Sequence, residues 1–194
     1  MGLSDSWLAL KGKPSYELLA ELRLSPTGAR CDLFEASFSA KTLRNGWFVL
    51  MLRRQLWEDL LPPETRARLS LGGEFAACFE EEHVMASSAE LWRDGALAWR
   101  ATHHAEMGDR HIEVEGSLPT EFPAILAAVA EAQAKSDARD DGLKVDHYFD
   151  IPVRLAEGVT GFAFDRVHEE IETEGLEVLV PPPEPTKKPV WRFW

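Results

Sequence analysis

The chain has 194 residues, 45% hydrophobic and 28% charged, with a formal net charge of −12. That is the make-up of one globular domain large enough to bury a core without disulfides or metal. The acidity excludes the basic face that nucleic acid needs, and no apolar run approaches the roughly 20 residues of a membrane span. The opening segment MGLSDSWLALKGK carries Asp5 where a secretory signal carries a basic stretch, so a cytoplasmic protein is expected, with no membrane and no nucleic-acid partner.

Ser6–Leu10 reads as a short opening strand, broken by Gly12 and Pro14. Ser15 is placed to cap a helix over Tyr16–Leu24, striped by Leu18, Leu19 and Leu22. Pro26-Thr27-Gly28 ends it, and Leu33–Ser39 reads as a strand. After the turn Asn45-Gly46, the unbroken apolar run Gly46–Leu52 predicts a central strand covered on both faces. Gln55–Leu61 predicts a short helix stopped by Pro62-Pro63, with another turn running to Leu69.

Glu74–Glu80, Glu82–Arg93, Ala96–His104 and His111–Gly116 read as successive strands. Asp94-Gly95 is a two-residue hairpin signal, because both turn positions need positive φ. It pairs Trp92 with Leu97 and Arg93 with Ala96. A looser turn over Ala105–Arg110 pairs His104 with His111, Thr102 with Glu113, Ala101 with Val114 and Arg100 with Glu115. One face is then apolar and the other charged and complementary.

Phe122–Lys135 predicts an Ala-rich helix with a stripe of Ile125, Leu126 and Val129. A polar loop, a strand Val145–Ile151, a short helix Val153–Val159 and a last strand Leu176–Val180 follow. The fold class is α+β: an antiparallel β-meander sheet with helices packed on one face, a single domain over residues 1–180. Residues 181–194, PPPEPTKKPVWRFW, form a proline-rich tail that favours polyproline II. Its basic, aromatic end, Trp191, Arg192, Phe193 and Trp194, is the expected partner-binding segment. It would dock on the acidic body, on a neighbouring chain or on a separate protein.

The chain has no GxSxG, Gly-rich phosphate loop, HExxH or CxxC, and no cofactor is expected. His103, His104, Glu106, Asp109, His111 and Glu113 gather on one hairpin, with Glu81, Glu82 and His83 on an adjoining strand. His104, His111 and Glu113 are the candidate metal ligands; an ordinary solvated strand face would carry the same residues. The hairpin register sets Glu90 and Ser88 on the apolar face beside Trp99 and Ala101, where a carboxylate needs a partner or a raised pKa. Trp7, Trp47 and Trp99 read as core, and Trp92, next to a turn, as partly exposed. Cys31 and Cys78 read as reduced thiols, Cys78 in an apolar setting that makes a poor nucleophile.

Ser6-Trp7 with Lys11-Gly12, Glu81-Glu82-His83-Val84-Met85, Trp92-Arg93-Asp94-Gly95 with Trp99, and Thr160-Gly161-Phe162 resemble a bacterial family of small hypothetical proteins. That resemblance implies no activity and carries over no functional residue. The sequence points to a non-catalytic protein-binding module of the bacterial cytoplasm, of the immunity or antitoxin kind, or to a self-associating one. It would use an acidic surface on a basic partner. The alternative is a small metal-dependent or acid/base enzyme centred on the hairpin.

Overall fold

The structure is a computed structural model that describes residues 4–54, 57–139 and 145–183. Its strands are β1 (Ser4–Lys11), β2 (Ser25–Cys31), β3 (Phe38–Thr42), β4 (Phe48–Arg53), β5 (Glu74–Glu81), β6 (Ala86–Arg93), β7 (Ala96–His104), β8 (Glu113–Gly116) and β9 (Leu176–Val180). Its helices are α1 (Ser15–Glu21), α2 (Trp57–Leu60), α3 (Pro63–Ser70), α4 (Phe122–Asp137), α5 (Asp150–Thr160) and α6 (Glu169–Glu174). The strands form one antiparallel sheet in the order β2-β9-β3-β4-β1-β5-β6-β7-β8. The expected α+β class and antiparallel sheet are therefore present.

Successive side chains of a strand point to opposite faces, and the central strands are apolar on both. Trp7 and Ala9 of β1 face a core closed by Val129 of α4, Ile151 and Leu155 of α5 and Ile171 of α6. Leu8 and Leu10 face a second core closed by Leu18 of α1, Trp57 of α2 and Leu69 of α3. The helices, expected on one face, thus divide between both. Each fully buried Leu or Phe contributes about 1.5–3 kcal/mol, and a strand with two apolar faces needs a covering layer on each, which helices supply here.

The Asp94-Gly95 turn forms as read, with φ of 49° and 84°. Trp92 pairs with Leu97 and Arg93 with Ala96. One step further the ladder slips: Leu91 pairs with Trp99, so Ala98 is an extra residue, a β-bulge. Ala98 and Trp99 consequently both pack toward the first core. The bulge corrects the reading of Glu90 and Ser88, which pair with Arg100 and Thr102 and lie on the opposite face. Beyond it, Arg100 meets Glu115, Ala101 meets Val114 and Thr102 meets Glu113 as expected.

Other stretches also differ from their sequence readings. Pro26-Thr27-Gly28, read as a helix end, lies within the edge strand Ser25–Cys31, which pairs with β9 and shifts register between Pro26 and Arg30. Proline is admitted there because the strand lies at the sheet margin. The strand read over Leu33–Ser39 begins only at Phe38. Val145–Ile151 is not a strand: Asp146 Oδ1 accepts the amides of Tyr148 at 3.1 Å and Phe149 at 3.3 Å, turning the chain into α5.

Candidate functional site

The registers set five polar side chains in one cross-strand row. Arg53 pairs with Asp5, Asp5 with Glu80, Glu80 with Ser87, and Ser87 with His103. The row crosses β4, β1, β5, β6 and β7 at one end of the first core. Arg53 Nη1 donates to the carbonyl of Phe34. Asp5 Oδ1 accepts the amide of Arg54 at 2.8 Å, and Ser87 Oγ donates to the carbonyl of Phe149 at 2.7 Å. The row thereby ties loops at both flanks to the sheet.

Glu80 is the member without a settled partner. It is 6% exposed, and its Oε1 is buried with no hydrogen bond among the described residues. Burial, and then the charges of Asp165, Asp150, Glu82 and Asp5, push its carboxyl up to about 8. At neutral pH Glu80 is mostly a neutral acid, a group able to donate a proton. Asp150, which opens α5, is also raised by burial; Arg154, 3.4 Å away, opposes the shift.

At the far end of the row His103 is fully buried. Its Nδ1 donates to the carbonyl of His111 at 2.7 Å, and its Nε2 lies 2.9 Å from Asp146 Oδ2. Both partners, a carbonyl and a carboxylate, are hydrogen-bond acceptors. His103 joins β7 to the start of β8 and to the turn that launches α5.

The candidate metal ligands are near neighbours that do not converge. The rings of His104 and His111 are 6.2 Å apart. His111 Nδ1 accepts the backbone amide of His104 at 3.1 Å, which leaves the ring proton on Nε2 and no lone pair there for a metal. His111 Nε2 lies 3.3 Å from Glu113 Oε1 without hydrogen-bond geometry. Among the described residues no group of three or more His, Cys, Asp or Glu could hold a metal ion. His83 pairs with Glu81 at 2.6 Å in the turn between β5 and β6.

On the opposite face, Glu90 is fully buried inside a cationic cage. Its Oε1 accepts from Arg66 Nη1 at 2.6 Å and Trp92 Nε1 at 2.5 Å; its Oε2 accepts from Arg100 Nη2 at 2.9 Å and Nε at 3.2 Å. The Arg66 guanidinium stacks 4.7 Å from the Trp57 ring and 5.5 Å from that of Trp92. Trp92, read as partly exposed, is buried here; Trp7, Trp47 and Trp99 are core as expected. No family model, no curated protein and no solved structure matches this chain.

The remaining candidates add little chemistry. A cleft of about 340 Å³ between Asp32, Arg166, His168 and Glu172 mixes acids with bases already engaged. Arg166 Nε donates to Glu157 at 3.0 Å, and His168 Nε2 contacts the Ala163 carbonyl at 2.8 Å. Cys78 is buried and its thiol pushed well up by burial, as its apolar setting implies. Cys31 is half-buried, and both cysteines are free. No helix among the described residues is long and apolar enough to cross a membrane. Trp191, Arg192, Phe193 and Trp194 lie outside the described residues.

Sequence reading missed Asp5, Glu80, Asp146 and Arg66. Glu80 had a usable signal: it continues the alternation Ala76, Cys78, Glu80 on an inward-facing register. Asp146 and Arg66 had none, since their partners lie 43 and 24 residues away.

Proposed function

We propose that this chain is a non-catalytic protein-binding module of the bacterial cytoplasm, of the immunity or antitoxin kind, that caps a basic partner with an acidic surface. The observation that carries the reading is the outer strand β8, where Glu113 and Glu115 present side chains 71% and 63% exposed. On the acidic helix α6, Glu169 and Glu172 are exposed and add a second negative surface, while Glu174 is paired with Lys41 at 2.7 Å. Opposed charge would speed encounter and select the partner more than it would add raw affinity. In this reading the tail residues Trp191, Arg192, Phe193 and Trp194 supply an aromatic, basic contact to the partner or to a second copy. A pull-down at low salt, repeated at high salt, tests it. A basic protein recovered only at low salt, and lost on reversing Glu113 and Glu115 to lysine, supports the module. Recovery of no basic protein at low salt removes it.

An acid/base enzyme is the second reading, and Glu80 rather than the hairpin histidines favours it. Glu80, a buried carboxyl pushed up by burial and by the neighbouring charges of Asp165, Asp150, Glu82 and Asp5, is the kind of group acid/base chemistry uses. A thermal-shift screen of small metabolites decides it. A ligand that stabilises the native chain but not Glu80→Gln supports an enzyme; ligands insensitive to that change count against it.

A further inference from the structure

The outer edge of β8 has a defined hydrogen-bonding phase. Ser117 N donates to the carbonyl of Ala98 at 2.8 Å, just past the Trp99–Gly116 pair. Antiparallel ladders alternate bonded and non-bonded pairs. Glu113 and Glu115 therefore spend their backbone groups on β7, while the N–H and C=O of Val114 and Gly116 point away from the sheet. β8 closes the strand order, so no described strand pairs with that edge. All four of its residues are exposed, Val114 by 52%.

Building on the acidic-module reading, we propose that β8 is a docking edge for an extended basic segment of a protein partner, which adds as a tenth strand bonded to Val114. The side-chain chemistry sets the kind of segment. Val114 pairs with Ala101 of the first core, so a residue opposite Val114 extends an apolar face. Its two neighbours fall opposite Glu113 and Glu115 on the other face. The matching segment is basic–apolar–basic, with main-chain bonds giving affinity and alternate side chains giving specificity. A second copy of this chain is the wrong occupant. Two β8 strands paired antiparallel about Val114 would set Glu113 against Glu115 twice, and like charges directly opposite are unfavourable.

The probe is an acetylated, amidated Lys-Val-Lys-Val-Lys peptide, titrated at low salt against the full chain, with amide exchange read by NMR. Slowed exchange at Val114 and Gly116, and affinity at least about tenfold weaker for Val114→Pro, are expected. Proline there removes only the outward N–H, and edge strands admit it. A peptide with N-methylated valines, equal in charge but unable to bond, repeats the test without altering the protein and is expected to bind as weakly. Peptide bound with protection elsewhere, or indifferent to both changes, overturns the docking edge while leaving the acidic-module reading intact. No binding of either peptide at low salt overturns both. A concentration-dependent dimer that Val114→Pro abolishes would make a second copy the occupant and overturn the proposal.

Discussion

Arg66 of α3 and Glu90 of β6 form an ion pair at 2.6 Å in which neither side chain is more than 5% exposed. Burying two charges is costly, and the pair is sustained by what surrounds it: Trp92 and Arg100 complete the carboxylate, and the guanidinium lies over the indole rings of Trp57 and Trp92. Glu90→Gln leaves Arg66 buried without its counter-charge. A loss of about 3–5 kcal/mol in urea unfolding is expected. The apolar double variant Arg66→Met with Glu90→Leu is expected to recover much of it. Equal loss in single and double variants would show that the pair is not the source.

Glu80 sets a pH dependence of known sign. Its folded pKa, about 8, lies above the ordinary value of 4.5, so the folded state holds the proton longer. Stability relative to Glu80→Gln is therefore expected to fall as pH rises from about 4.5 to 8 and to level off above that. The total is on the order of a few kcal/mol. Thermal or urea unfolding of both proteins across this range checks it, and parallel curves would contradict it.

Gly116 has a φ of +77°, and a Cβ there would lie 2.3 Å from the Ala98 carbonyl oxygen. That oxygen accepts the Ser117 amide that closes β8. Gly116→Ala is expected to cost about 1–3 kcal/mol and to loosen β8 ahead of the remaining sheet. Amide exchange at Glu113 and Glu115 is the readout; unchanged exchange would count against the close approach.

The two thiols should differ sharply in reactivity. Cys78 is fully buried on β5 with its thiol pushed well up, while Cys31 is half-buried at the end of β2 and raised less. Alkylation of the native protein at pH 8 is expected to modify Cys31 first and Cys78 only under denaturant. Peptide mass mapping gives the order, and early Cys78 labelling would refute it.

What the residues disclosed about the fold depended on range. Asp94-Gly95 announced its hairpin because turn chemistry is local, and the complementary charges of Arg100 and Glu115 set the next register correctly. The bulge at Ala98 stayed hidden, since a bulge answers to packing on the distant helix layer, and it carried Glu90 to the other face. Asp146 defeated the strand reading of Val145–Ile151 because its side chain, not hydropathy, turns the chain. For the candidate site, the hairpin histidines were visible as a cluster, but the buried row of Asp5, Glu80, Ser87 and His103 exists only once four strands are in register.

The strand order has a consequence for how the molecule assembles. β5 to β8 are successive in the chain and close through short connections, whereas β9 must slot between β2 and β3. Thr27 bonds to Val178 across 151 residues. Long closures cost more chain entropy and come late, so the meander can form while β2 has no partner and β3 shows a bare edge. A ribosome would release β2 and β3 long before residues 176–180, and during that interval the outer edge of β3 is the place where a nascent copy is open to wrong pairing.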